Sequence, residues 1–225
     1  MVSFEESYYS TNLFHQFNQF SHANIGTLKL YTPDLQVNKK YEKSTSSDVF
    51  SGFYGATVGS LEIGSEVQVI PEYFLYCATM SMEELSIHTP EIGPCAFGGG
   101  KISFGTLTIG EEVTTFPESF YSTGIFHYWR QFANCSIGHL VYEADAAAVV
   151  NDVEAITSAS ADLDGPFIGA SIGTFTLKEN VTCIPDYLLR GAKLTMEELD
   201  LHVSDIGAMA PRIKCPIVIP LPLKA

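Results

Sequence analysis

The chain has 225 residues, 46% of them hydrophobic and 17% charged, which gives enough apolar material to bury a core and too little charge for disorder. Its net charge of −14 comes without any cluster of Lys or Arg. That excludes nucleic acid and anionic membrane surfaces as partners, since both need grouped cations, and it leaves a basic or neutral partner as the better match.

Taken in chain order, the start MVSFEESYYSTNLF has two Glu and no basic residue ahead of its apolar part, unlike an export signal. A surface or secreted location follows only if such a signal has been removed from the chain; otherwise the compartment stays open. No run reaches the ~20 apolar residues of a membrane-crossing helix, so membrane insertion is not expected.

Residues 4–30 and 116–142 align without a gap at an offset of 112, with 13 identities in 27 positions. Residues 58–97 align with 172–211 at an offset of 114, with 15 identities in 40. The chain therefore reads as one domain, 1–225, made of two tandem copies at about 4–115 and 116–223. Within each copy an apolar–x–apolar triplet recurs, at Leu28–Leu30, Leu61–Ile63, Leu85–Ile87, Leu107–Ile109, Leu140–Tyr142, Phe175–Leu177 and Leu199–Leu201, with Leu221–Leu223 as an eighth. The steps between them are 33, 24, 22, 33, 35, 24 and 22 residues. A single alternating strand cannot bury its apolar side alone, whereas parallel rungs stacked about 4.8 Å apart make one continuous core. The prediction is a mainly β repeat of α/β type: a solenoid with a curved parallel sheet of seven to eight rungs and helical or irregular convex insertions in the longer steps. An antiparallel sandwich is the competing fold.

The stretches LTIGEEVTTFPESF (107–120) and LEIGSEVQVIPEYF (61–74) carry a strand, a Gly, a Val, an apolar residue before Pro, and an aromatic turn, and LSIHTPEIGPCAF (85–97) carries a strand, an Ile-Gly pair and an Ala-Phe turn. As a set they resemble the BspA-like leucine-rich repeats, over nearly the whole chain. The departures are Pro71, Pro117 and Pro185 where that family has Gly, and the long insertions, which leave the register of residues 31–57 and 143–171 open. The resemblance implies a bacterial adhesion or protein-binding module at the cell surface. It implies no catalytic residue and no cofactor.

The residues themselves point the same way. His15 and His127 share one repeat position, as do His88 and His202, which favours a structural role. Glu84 and His88, His139 and Glu143, and Glu198 and His202 are four residues apart along a strand, about 13 Å at ~3.3 Å per residue, too far for an acid–base pair. Asp162, Asp164 and Gly165 suggest a calcium loop, but Gly173 stands where the loop needs Glu. Asn134 and Asn180 begin glycosylation sequons by pattern. Cys77, Cys95, Cys135, Cys183 and Cys215 have long irregular spacings with no C-x-x-C, so they read as free thiols packed as small hydrophobes rather than a metal site or disulfide framework.

Two surfaces compete for binding a protein or glycan. On the concave sheet face alternation exposes Tyr31, Glu62, Glu84, His88, His139, Glu143, Asp200 and His202, among Thr and Ser neighbours. In the insertion at 126–132, aromatics at i and i+3 fit a short convex helix. Its Phe residues recur and read as core, while Tyr128, Trp129 and Arg130 are the residue types of interface anchors; core packing competes for Trp129. The leading expectation is a non-catalytic binding module. The alternative is a structural subunit of a larger assembly, such as a virion or surface array, built by head-to-tail stacking on copies or flanking domains. Pro216, Pro220 and Pro222 weigh against that stacking, because Pro blunts strand pairing.

Overall fold

The computed structural model describes side chains at residues 18–35, 51–118, 129–148, 165–197 and 199–207, together with short strands on either side of these segments. The protein is mainly β, and no helix occurs among the described residues. Its largest element is a seven-stranded parallel sheet in sequential order: β1 (Asn24–Leu30), β2 (Thr57–Ile63), β3 (Thr79–Ile87), β4 (Lys101–Ile109), β5 (Ser136–Tyr142), β6 (Ser171–Leu177) and β7 (Lys193–Leu194). A four-stranded parallel sheet runs through Val69–Ile70, Glu91–Ile92, Thr115–Pro117 and Ala148–Val150. The core lies between the two sheets and a third column of stacked turns.

Three periodic columns explain why this sequence adopts this form. The first is aromatic. Phe53, Phe97, Phe132 and Phe167 are buried in equivalent turns. Phe97, Phe132 and Phe167 form a continuous stack with centroids 5.3 and 4.8 Å apart, and Phe20 stacks on Phe53 at 5.1 Å. Each such ring stabilises the fold by roughly 1.5–3 kcal/mol on full burial. The second column is the turn backbone: N–H groups donate to carbonyls of the next turn, as from Phe97 to Gln131 (2.8 Å) and from Phe132 to Pro166 (2.8 Å).

The third column is glycine. Along the large sheet the in–out alternation slips once per strand, so that Gly26 and Thr27, Gly59 and Ser60, or Gly138 and His139 both face outward. The ladder skips this position: Ile25 pairs with Val58 and the next pair is Thr27 with Ser60. Backbones crowd there, and a Cβ on Gly59 would lie 2.6 Å from the Gly26 carbonyl oxygen, which no side chain tolerates.

The sheet is not uniform. Leu61 follows Thr57 by four positions in β2, but the matching Leu85 follows Thr79 by six in β3. The β2–β3 ladder accordingly stops after Thr57↔Thr79 and Val58↔Met80, whereas β1–β2 and β3–β4 pair to their ends. The β6–β7 ladder stops at the same place, after Ser171↔Lys193 and Ile172↔Leu194. Ile63 and Leu177, the last inward residues before each break, are only half-buried, while Leu30, Ile87, Ile109 and Tyr142 in the same column are buried.

Two expectations change. The insertion expected as a convex helix is an antiparallel hairpin, Ser119–Tyr121 with Phe126–Tyr128, and the first copy has the same hairpin, Ser7–Tyr9 with Phe14–Gln16. Aromatics three apart satisfy a short strand running into a buried turn as well as they do a helix. The triplet Leu199–Leu201 does not extend the large sheet: Lys193–Leu194 does, and Leu199–Asp200 pairs with Ile217–Val218 instead. Gln131 is buried although polar; its Nε2 donates to the carbonyls of Ile92 (3.2 Å) and Pro117 (2.9 Å) where the hairpin leaves the sheet, and Gln19 is its counterpart. Cys95 and Cys135 are buried free thiols, Cys77 and Cys183 half-buried ones. Burial holds the Cys135 thiol well above its ordinary pKa. Leu221–Leu223, Glu198, Asp162, Asp164, Cys215, Pro216, Pro220 and Pro222 lie outside the described residues, as do the side chains of His15, His127 and Tyr128.

Candidate functional site

The outward face of the large sheet presents polar side chains in rows set by the register. Ser81, Ser103, Ser136 and Ser171 form one row, with Ser103 Oγ donating to Ser81 Oγ at 3.0 Å. Glu84, Thr106, His139 and Thr174 form a second, and Ser86, Thr108, Val141 and Thr176 a third. Within them His139 Nε2 and Thr176 Oγ1 share a hydrogen bond of 2.9 Å.

The residue that follows each strand forms a further column: Tyr31, Gly64, His88, Gly110, Glu143 and Lys178. Its backbone continues the stack, with Gly64 N–H donating to Leu30 (2.8 Å), Gly110 to Ile87 (2.8 Å), Glu143 to Ile109 (2.9 Å) and Lys178 to Tyr142 (3.0 Å). Two aromatic rings in this column lie over glycines. A Cβ on Gly64 would collide with the Tyr31 ring, and one on Gly110 with the His88 ring. Each glycine begins a tight Gly-x-Glu-Val turn, closed by Val67 N–H to Gly64 (3.2 Å) and by Val113 N–H to Gly110 (3.1 Å).

Around Tyr31 the phenol donates to Glu62 Oε1, and Lys29 Nζ reaches Glu62 Oε2 at 2.8 Å. The hydrogen bond from Lys29, and then that from Tyr31, hold the Glu62 carboxyl below its ordinary range. His88 Nδ1 lies 2.7 Å from Glu112 Oε2, and this contact holds Glu112 below the ordinary range as well. Between the two groups, where β2 and β3 part, is an open cleft of about 350 Å³ lined by Ile63, Gly64, Ser65, Ser86, His88, Thr89 and Glu112.

The other expected residues sit apart from this cleft. Glu143 pairs with Lys178 at 3.0 Å, and Asp200 with His202 at 3.2 Å. Glu84 is exposed on β3 beside Thr106. Trp129 is fully buried and stacks on Tyr187 at 5.5 Å; the core claims it, so it is no surface anchor. Arg130 is half-buried and lines a separate depression of about 310 Å³ with Tyr76, Gly99, Ala133, Asn134 and Ile168. Burial there pushes the Tyr76 phenol up to about 12.

Glu112 carries no signal for its contact with His88 along a single strand. The 22-residue register that pairs Ile87 with Ile109 sets His88 beside Gly110, and carries Glu112 to the ring two residues later. Among the described residues no three His, Cys, Asp or Glu side chains converge to hold a metal ion. No known protein family, curated protein or solved structure matches this chain.

Proposed function

We propose that the chain is a non-catalytic binding module, a solenoid of the leucine-rich-repeat kind, whose outward sheet face and adjoining cleft receive a protein or carbohydrate ligand at a cell surface. The observation that carries this reading is the set of in-register rows of Ser, Thr, His and Glu on the outward face, continuous from β3 to β6. Repeat architectures offer extended ligands such a surface. The polar groups are spread along rows rather than converged: His88, His139 and His202 pair with Glu112, Thr176 and Asp200 at three separate places, whereas catalysis needs several groups around one reacting atom.

The test pans a displayed peptide library and an immobilised glycan array against the chain. A parallel experiment uses Thr108→Arg with Thr174→Arg, which crowds the rows, and Tyr31→Ala with His88→Ala, which alters the cleft. Binders lost with either variant support the reading. Failure to enrich any peptide or glycan overturns it.

A second reading, a structural subunit that stacks end to end, rests on the β1 edge. Among the described residues β1 pairs only with β2. Beside it Phe20 is 49% exposed, and Ile25 and Leu28 are half-buried. Light scattering over a wide concentration range separates the readings: growth in mass that Phe20→Glu abolishes favours assembly, and a constant 24.6 kDa removes it.

A further inference from the structure

We infer that the cleft between β2 and β3 is a binding site for a neutral glycan, engaged through one sugar ring and its hydroxyls. The inference rests on the binding-module reading above and names its site and ligand class.

The cleft exists because of a covalent fact, the two extra residues in β3, which end the β2–β3 ladder and leave Ile63 half-exposed at the floor. Its volume, about 350 Å³, is at the small end of ligand pockets and suits a hexose or disaccharide. The walls offer what a sugar needs. A pyranose has an apolar C–H face and a rim of hydroxyls that both donate and accept. Tyr31, 44% exposed, stands just outside the lining and lies against one of its residues, Gly64, so its ring borders the opening; aromatic rings combine large contact area with a polar edge. Ser86, exposed in the lining, brings a hydroxyl of both hydrogen-bonding senses.

The charged groups are ordered before any ligand arrives. Glu112 holds the His88 ring by Nδ1, which leaves its Nε2 edge pointing away from the carboxylate. Glu62 is held between Lys29 and the Tyr31 phenol. Such preorganisation lowers the ordering cost of binding.

The same pairs decide the ligand's charge. An anionic sugar would face Glu112, which lines the cleft, in a chain of net charge −14. A cation would compete with Lys29, which already neutralises Glu62. A neutral polyol leaves both pairs intact and uses their remaining hydrogen-bonding capacity.

The probe is an array of neutral oligosaccharides of glucose, galactose, mannose and N-acetylglucosamine, with sialylated and sulfated glycans as the anionic set. Hits are then titrated calorimetrically. The expected result is a neutral hit whose affinity falls at least tenfold in Tyr31→Ala and in His88→Ala. Tyr31→Phe, which keeps the ring, should retain most of the affinity. Both cleft residues are exposed, so these variants should fold, and circular dichroism checks it. A neutral hit insensitive to Tyr31→Ala and His88→Ala, or preference for the anionic set, overturns this site while the binding-module reading stands. Enrichment of peptides without glycans does the same. Failure of both libraries overturns the two together.

Discussion

At the 112–114 offset, Tyr31, Gly64 and His88 correspond to Glu143, Lys178 and His202. Both places follow a ladder that ends early, after Val58↔Met80 in one and Ile172↔Leu194 in the other. In the first an aromatic ring lies over a glycine; in the second a Lys–Glu ion pair spans 3.0 Å. The backbone bond beneath them is the same, Gly64 to Leu30 and Lys178 to Tyr142. The repeat's buried columns thus fix the geometry of the opening, while the residue after each strand is left to set its chemistry. The same comparison of matched positions applies to the columns themselves, and it can be broken by substitution.

The largest contrast is at the aromatic column. Phe20 and Phe132 are equivalent, but Phe132 is fully buried between Phe97 and Phe167 whereas Phe20 has, among the described residues, one stacked neighbour, Phe53, and is 49% exposed. Phe132→Ala should cost about 3–5 kcal/mol in denaturant unfolding, as for other buried Phe truncations, and Phe20→Ala about 1 kcal/mol or less, given its exposure. Equal losses would mean that the end of the stack is covered in solution, which is what end-to-end assembly requires.

Next is the glycine column. Gly26 and Gly138 are equivalent, yet a Cβ on Gly138 would lie 2.6 Å from the Gly105 carbonyl oxygen and one on Gly26 would meet nothing within 4 Å. Gly138→Ala should destabilise by about 1–3 kcal/mol through overpacking. Gly26→Ala should be neutral or stabilising by up to about 1 kcal/mol, because it restricts the unfolded chain. A mild Gly138→Ala would show that the strands can separate at this column without penalty.

Smaller in stability is the exchange of furniture. Tyr31→Glu with Gly64→Lys moves the second-half pair into the first, and should form an exposed ion pair that changes stability little. It should nonetheless close the cleft, seen as loss of the glycan titration. Retained binding would show that neither the ring nor the glycine matters.

Much of this was legible in the sequence, for a reason these pairs display. The 22-residue register between β3 and β4 and the recurring Leu-x-Ile triplets encode a parallel sheet, because apolar alternation and stacking leave few other solutions. The hairpins were not legible. Phe126, Trp129 and Phe132 have helical spacing, but here it arises from a strand that enters a tight turn with Arg130 at φ 56°, a conformation that side-chain periodicity does not record. The cleft was half-legible: the step of 24 beside the step of 22 was in view, but its consequence, an unpaired stretch of sheet, needs the ladder. The His88–Glu112 contact crosses 24 residues and became visible only once His88 was set beside Gly110.

The smallest effect concerns the acid–base behaviour of the Tyr31 group. Glu62 is depressed by its bonds from Lys29 and Tyr31, so the stability it contributes is present above its unfolded pKa, near 4.3, and is lost as pH falls through its lower folded value. Lys29 is raised, by its bond to Glu62; its contribution is present below 10.5 and is lost as pH rises through the raised value. Tyr31 is raised by the same carboxylate, which accepts from the phenol and opposes its ionisation. The three side chains should therefore stay ordered across the whole range between the two limits, with only a slight effect on global stability because all are solvent-exposed and screened. A carboxyl-detected NMR titration should place Glu62 below an ordinary glutamate, and Lys29→Ala should return it most of the way. Glu62 titrating at the ordinary value in the unmodified chain would mean that the group is not ordered in solution, and the cleft would lose its preorganised wall.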